Sequence, residues 1–308
     1  MTKTAVGKIT WKEEFKRNWK VYAILLIPAS YFLVFKYLPM AGIVIAFQDY
    51  KATAGIFGSE WIGFMNFTEL FSGGHFLTVL RNTSVMAFLN LTLGFFAPVA
   101  LGIMILQLRN KRFSQVSQTV IYIPYFISAA VVCSLAREFL SDSGAVTRFL
   151  MLFGLEEKNW LANNGPSFWL INTFMGIWQG AGHGAIIYIT AIHGISRDLY
   201  EAAGIDGAGR WKQLIYVTLP GLLPVIAMLF ILQMGVVFIV GFDKVLLLYM
   251  PSTYEYSDVL MSYTYRMAFG SSNNFGLSAA SGLLQSVIGT ILIIVGNKIF
   301  LAQPLRNE

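Results

Sequence analysis

Charged side chains are scarce in this 308-residue sequence, which has 22 lysines and arginines and 16 aspartates and glutamates. They make up 12% of the chain, whereas ordinary soluble domains carry about 25%. Hydrophobic residues make up 56%, and the mean hydropathy is +0.62. This composition excludes an ordinary soluble domain and indicates a protein that lies in a membrane.

Acidic residues are absent from the apolar segments that are long enough to cross a bilayer, which takes about 20 residues in a helix. These segments cover residues 21–47, 83–106, 116–136, 168–192, 220–242 and 279–300. Lys36 and Pro39 interrupt the first and predict an irregular outer end. Ion-coupled carriers and voltage sensors generally need charge inside the membrane. The sequence therefore predicts an all-α membrane protein with six transmembrane helices that does not use an ion gradient.

Other missing features exclude several classes of function. Cys133 is the single cysteine, so a disulfide framework is excluded. The one Gly-Lys pair, Gly7-Lys8, is followed by Ile9 and does not form a phosphate-binding loop. No His-Glu-x-x-His motif and no aspartate pair within an apolar segment support intramembrane proteolysis. We expect no catalytic residue, no metal site and no cofactor on this chain.

Basic residues are unevenly distributed about the six segments. If both ends of the chain lie on one side, that side holds 14 of the 22 lysines and arginines. The positive side of a membrane protein is the cytoplasmic side, so the termini and the loop at 196–217 are predicted to be cytoplasmic. Topology thus explains the net charge of +6 without nucleic-acid binding. The predicted division is a basic segment at 1–20, a membrane domain at 21–300 and a tail at 301–308.

The loop at 196–217 has the pattern of two short helices. Asp198 and Asp206 are predicted as their N-caps, and Glu201 lies three residues after the first of them. Trp211, Leu214, Ile215 and Thr218 follow at helical spacing. By periodicity alone this is an ordinary interhelical loop or a hairpin with an apolar face for another protein.

The residues of this loop resemble the EAA loop of binding-protein-dependent ABC importer permeases. The resemblance rests on Glu201-Ala202-Ala203, Asp206-Gly207-Ala208, Trp211 and Leu219-Pro220. Gly209 and Leu214 depart from it, since the family more often has a small hydroxyl residue and a phenylalanine there. In that family the loop docks into a cleft of the ATP-hydrolysing subunit. The ATPase-coupling residues implied by the resemblance are Glu201, Ala202, Ala203, Gly204, Asp206, Gly207, Ala208 and Trp211.

Further segments are similar to the maltose-permease-like, lipoprotein-B-type branch of these permeases, which takes up oligosaccharides. They are 35–47 (FKYLPMAGIVIAF), 241–245 (GFDKV) and 254–259 (YEYSDV). The segment 60–67 (EWIGFMNF) is similar to one that often follows the first span of sugar permeases. The resemblance implies a type I ABC importer permease fold in a bacterial plasma membrane. It also implies a second homologous permease, two ATP-binding subunits that hold ATP and Mg, and an extracellular solute-binding lipoprotein. The expected substrate is an oligosaccharide or complex glycan fragment.

Neutral polar groups in or near the apolar segments suit a hydroxyl-rich solute, because amides both donate and accept hydrogen bonds. The candidate substrate-path residues are Asn90, Trp178, Gln179, His183, Gln233, Asp243 and Gln285. Buried amides also hold helices together, and Gly176, Gly180 and Gly184 are spaced for close helix packing. A permease for another solute class and a passive solute channel remain the alternative functions.

Overall fold

The computed structural model describes residues 11–162, 165–239, 241–271 and 273–300, which are nearly all helical. The first ten residues of the predicted basic segment and the predicted tail at 301–308 lie outside the described residues. The longer α-helices are α1 (Trp11–Phe32), α4 (Gly74–Leu89), α5 (Phe95–Leu106), α6 (Lys111–Tyr122), α7 (Ala129–Phe139), α9 (Ser167–His193), α12 (Leu219–Val236), α15 (Leu260–Phe269) and α16 (Phe275–Phe300).

Shorter elements connect these helices. The short helices are α2 (Gly55–Gly58), α3 (Met65–Ser72), α8 (Ala145–Met151), α10 (Arg197–Ile205), α11 (Arg210–Gln213), α13 (Phe242–Leu248) and α14 (Tyr254–Ser257). Two strands, β1 (Gln48–Asp49) and β2 (Glu60–Trp61), pair antiparallel with Gln48 opposite Trp61. The segment after the first predicted span therefore contains a small β-ladder, and α4 begins well before the predicted second span.

Four helical stretches within the described residues are long and apolar enough to cross a membrane. They are Trp11–Phe47, Gly74–Leu106, Arg210–Val236 and Phe275–Ile299, and they correspond to the first, second, fifth and sixth predicted spans. The fourth predicted span coincides with α9, which has 27 residues. Helix α9 is long enough to cross a membrane, but its hydropathy is lower than that of the four stretches above. Its amides, imidazole and glycines make it less apolar than the others.

The third predicted span, 116–136, is not one straight helix. The stretches Lys111–Phe126 and Ala129–Phe139 are bent by 96° at the break between them. Pro124 lies just before the break, and the Ser128 hydroxyl accepts a hydrogen bond from the Val131 N–H and so caps α7. A proline followed by an N-cap ends one helix and starts another. Counted as one broken span, the pair brings the candidate spans to five.

Three π-helical turns lie where a proline removes a backbone donor. The turns are Leu33–Tyr37, Asn90–Gly94 and Leu214–Thr218. Each contains the residue four positions before a proline, namely Pro39, Pro98 or Pro220. Because proline has no N–H for that carbonyl, the helix widens there instead of breaking. The predicted irregularity at Lys36 and Pro39 is confirmed as a π-turn followed by a 3-10 segment, Leu38–Phe47.

Close approaches at glycine hold the long helices together. A Cβ at Gly184 would lie 3.1 Å from Pro98, and one at Gly102 would lie 3.2 Å from the Tyr188 Cβ, so α5 and α9 pack tightly. In the same way, a Cβ at Gly289 would lie 2.6 Å from the Gly235 carbonyl oxygen, where α16 crosses α12. Small residues allow this spacing between apolar helices. Helix α9 also contacts α4, α6 and α12, so it lies at the centre of the packed helices.

A buried polar cluster, here called the Asp258 network, joins α4, α14 and α15. The Asp258 carboxylate is fully buried and accepts from His75 (2.7 Å), Ser262 (2.7 Å) and both terminal nitrogens of Arg266. The Asn82 amide donates to the backbone oxygen of Asp258 at 2.9 Å. This network fixes the segment at 254–259, whose sequence is one of those similar to the lipoprotein-B-type branch.

Candidate functional site: a hairpin and two cavities

The hairpin at 196–217 turns at a glycine that the backbone requires. Helix α10 ends with Asp206 as its C-cap, and Gly207 has φ of 74° in the left-handed region. The Ala208 N–H bonds the Ala203 oxygen at 2.8 Å and the Gly207 N–H bonds the Gly204 oxygen at 3.0 Å. This pair of bonds is a Schellman motif, which favours glycine at the left-handed position.

The two predicted N-caps of the hairpin are wrong. Ser196, not Asp198, caps α10, because its hydroxyl accepts from the Asp198 N–H at 3.2 Å. Asp206 ends α10 and does not begin α11, whose N-cap is Gly209. The second half of the hairpin is also no separate helix, since Arg210–Val236 is one helical stretch. The second half of the hairpin is therefore continuous with a stretch that is long and apolar enough to cross a membrane.

Apolar side chains of the hairpin face outward. Ile205 is 88% exposed, Trp211 77% and Tyr216 74%. Glu201 is exposed beside them, and neither α10 nor α11 has a buried residue. The hairpin is anchored instead by the Tyr200 hydroxyl, which lies 3.0 Å from the Thr218 hydroxyl. An exposed apolar surface of this kind is typical of a site for another protein.

Two cavities adjoin along one side of α9. The first has a volume of about 620 Å³ and includes Asn90, Tyr188 and Gln233 in its lining. The second has a volume of about 540 Å³ and includes Tyr125, Gln179, Asp243 and Lys244. Gly176 and Gly180 line both, so the cavities share a glycine wall. Volumes of this size are common for small-molecule sites.

The glycines of α9 divide into two groups. A Cβ at Gly180 would meet nothing within 4 Å, and one at Gly176 would meet only the Lys244 ammonium at 3.9 Å. Gly182 and Gly184, in contrast, lie against the Ile121 carbonyl and Pro98. Packing therefore accounts for the latter pair, while the absence of side chains at Gly176 and Gly180 leaves space in the cavities.

Amides among the candidate path residues support irregular backbone. The Gln179 amide donates to the Ile127 carbonyl at 2.6 Å, at the break between α6 and α7. The Asn90 amide donates to the Met86 carbonyl at 2.8 Å, and Gln285 donates to the Phe238 carbonyl at 2.6 Å beyond the end of α12. Backbone groups in a bilayer need such internal partners. These contacts match the alternative that the buried amides hold the helices together. The role of the amides in a solute path stays a prediction.

The structure groups the candidate path residues unevenly. Asn90 and Gln233 line the first cavity, and Gln179 and Asp243 line the second. His183 stacks on Tyr125 with ring centroids 3.9 Å apart, next to the second cavity. Trp178 lies apart from both, in an apolar groove that α7 and α9 form. Gln285 is buried and appears in the lining of neither cavity.

Sequence reasoning missed Lys244 and the two tyrosines of the cavities, Tyr125 and Tyr188. Lys244 follows Asp243 directly, so its charge was visible, but it lay beyond the predicted fifth span. Helix α13 places Lys244 over α9. The Cys133 thiol lies 3.9 Å from the backbone carbonyl oxygen of Lys244. Burial lowers the pKa of Lys244, and the neighbouring Asp243 raises it in part. No groups of histidine, cysteine, aspartate or glutamate suited to a metal occur among the described residues.

Long apolar helices around two cavities that include amide, tyrosine and charged groups in their lining, with an exposed apolar hairpin at one end, are typical of a membrane transport subunit. The family of binding-protein-dependent transport system inner membrane components matches residues 98–302. The chain belongs to this family, and the resemblance inferred from the hairpin residues is confirmed. It is therefore a permease subunit of an ABC importer, a class of subunit that has no ATPase site of its own.

Relatives match over nearly the whole chain. The polygalacturonan/rhamnogalacturonan transport system permease protein YteP of Bacillus subtilis (strain 168) is 37% identical, over 96% of this chain and 94% of its own. Protein LplB of the same organism is 35% identical, over 99% and 95%. A chain of a bacterial ABC transporter that imports the acidic polysaccharide alginate has a TM-score of 0.86 at 34% identity, covering 96% of this chain and 99% of that chain.

Proposed function

We propose that this chain is the permease subunit of an ATP-driven, binding-protein-dependent importer for an oligosaccharide or complex glycan fragment. The full-length similarity to permeases named for polygalacturonan, rhamnogalacturonan and alginate carries the proposal. Two adjoining cavities with amide, tyrosine and charged groups supply the hydrogen-bonding surface that a glycan needs. Six spans, with the broken α6–α7 pair as the third and α9 as the fourth, would lie in a bacterial plasma membrane with cytoplasmic termini.

The hairpin at 196–217 would dock on an ATP-binding subunit. Its exposed residues Ile205, Trp211 and Tyr216 would be buried there, and Glu201 would pair with a basic residue of the cleft. Closure of the ATPase dimer would then pull the hairpin and, through Arg210–Val236, tilt the fifth span. Such rigid-body rocking would open the cavities to the two sides of the membrane in turn. ATP and Mg would be held by the partner.

The partners are testable by co-purification. We would tag the chain in its native cells, purify it in mild detergent and identify the proteins that are recovered with it. The proposal expects a second permease, an ATP-binding subunit and, after cross-linking, a solute-binding lipoprotein. Recovery of a homo-oligomer without an ATPase would favour a passive channel. Uptake assays with glycerol phosphates would test another solute class, since UgpA permeases named for sn-glycerol-3-phosphate are 25–26% identical.

Reversing the charge of Glu201 is expected to uncouple the importer. Glu201→Lys would place like charges at the proposed docking contact, and we expect glycan uptake in vesicles to fall about tenfold or more. Insertion and thermal stability would stay unchanged, because Glu201 is exposed and α10 has no buried residue. Glu157→Lys, which alters an exposed glutamate outside the hairpin, is the matched control. Normal uptake by the Glu201 variant would contradict the docking role.

A further inference from the structure

The ammonium of Lys244 lies at the wall of the second cavity. Lys244 is half-buried and lies over α9, 3.9 Å from where a Cβ at Gly176 would be. In the part of the chain that the structure describes, its ammonium has no hydrogen bond or ion pair. A partly desolvated cation is unfavourable unless an anion or several acceptors compensate it.

The other partly buried cations that the structure describes on this side of the predicted membrane have partners, since Arg266 is paired with Asp258 and Lys158 lies 4.0 Å from the Glu156 carboxylate. Two exposed arginines of this side, Arg137 and Arg81, have partners as well, and Arg137 donates to the Leu247 carbonyl. Arg81 donates to the Glu255 carbonyl at 2.6 Å and lies 4.9 Å from the centroid of the Tyr256 ring. Lys244 is the exception to this pattern. The unpaired ammonium is therefore specific to the cavity and is not common to the cations of this region.

The groups around Lys244 suit a ligand that carries both an anion and hydroxyls. Asp243 is exposed and lines the same cavity, so its carboxylate can accept from sugar hydroxyls. The Tyr125 ring lines it too and offers an apolar face and a hydroxyl. Gly176 and Gly180 leave the approach to the ammonium open. A neutral solute would give the Lys244 ammonium no ion pair, whereas a carboxylate would pair with it.

We propose that this cavity is a subsite for an acidic sugar unit. Lys244 binds the carboxylate of the sugar, and Asp243 and Gln179 bind the hydroxyls of the sugar. This inference rests on the proposed importer function and specifies its substrate as a uronate-containing oligosaccharide. A sugar phosphate offers the same charge, and the experiment must separate the two anions.

The test measures uptake by the complete importer in proteoliposomes. The probes are tri-galacturonate, its fully methyl-esterified neutral form and a hexose phosphate. We expect wild-type uptake of tri-galacturonate in preference to the other two. Lys244→Met should lower that uptake at least about tenfold through a raised KM and leave uptake of the methyl ester unchanged, because one charge-assisted contact is lost. Lys244→Arg should retain most of the uptake.

Controls keep the subsite separate from assembly and from the importer function. Lys51→Met removes an exposed lysine outside the cavities and should behave as wild type. Equal loss of the acidic and esterified probes, or loss of co-purifying subunits in the Lys244→Met variant, would overturn the subsite and assign Lys244 to an interface. Preferential uptake of the methyl ester or the hexose phosphate by wild type would also overturn it. Absence of uptake for every saccharide would instead refute the proposed glycan function.

Discussion

The Asp258 network and the hairpin at 196–217 use opposite strategies. In the network, a carboxylate that is 0% exposed is matched by arginine, histidine and serine side chains from α4 and α15. In the hairpin, helices α10 and α11 have no buried residue and rely on a cap, a Schellman turn and one tyrosine contact. One region is completed within the chain, and the other exposes the groups that a partner would cover.

This difference indicates where the chain tolerates change. Removing a member of a buried network leaves the other members desolvated and unpaired, which is costly. An exposed hairpin loses only local interactions, because water satisfies what remains. Stability should therefore respond to the network, and assembly should respond to the hairpin. Three substitutions test this separation, from the largest expected effect on stability to the smallest.

Asp258→Ala should have the largest effect. It would leave the Arg266 guanidinium, which is 22% exposed, without its carboxylate, and it would free His75 and Ser262. We expect a loss of about 3–5 kcal/mol in the free energy of unfolding, as for other buried pairs that lose one member. Thermal unfolding in detergent would measure it. Asp142→Ala, at an exposed position, is the control, and equal midpoints for the two variants would refute the structural importance of the network.

Gly207→Val should have an intermediate effect that stays within the hairpin. Valine would have to adopt φ near 74°, which costs about 1–2 kcal/mol or more for a side chain branched at Cβ. Hydrogen exchange should become faster in α10 while the rest of the chain keeps its protection. Gly209→Val is matched to it, because Gly209 has extended backbone and open space around its Cβ position. The same exchange rates in both variants would rule out a required left-handed turn.

Tyr200→Phe should have the smallest effect on stability. It removes the hydroxyl that bonds Thr218, worth about 0.5–1.5 kcal/mol, and so loosens α10 from the start of the fifth span. Tyr216→Phe removes a hydroxyl from a side chain that is 74% exposed and serves as the control. A greater destabilisation from the Tyr216 variant would show that exposure does not separate the two tyrosines. The comparison can be made by denaturant titration of the purified chain.

Local sequence patterns predicted what local physics controls. Apolar length predicted the first, second, fifth and sixth segments as candidate spans, and Pro39 predicted the irregularity in the first. The glycine turn of the hairpin was predictable because Asp206-Gly207 follows a helical pattern. The N-cap of α10 was not predictable from the sequence, because serine and aspartate both cap helices well. Only the backbone geometry decides between Ser196 and Asp198. The break at Ile127–Ser128 was missed because hydropathy does not register a change of direction.

By itself, the sequence determined a helical membrane protein and the family of its hairpin, because apolar periodicity and short motifs depend on neighbouring residues. Only the tertiary structure decided which polar groups meet. It buries Asp258 against Arg266 and places Lys244 over Gly176, 68 positions earlier in the chain. Such contacts depend on how distant helices cross, and no local pattern encodes that geometry. The physical reason is that side-chain partners are chosen by packing in three dimensions, whereas propensity acts over a few residues.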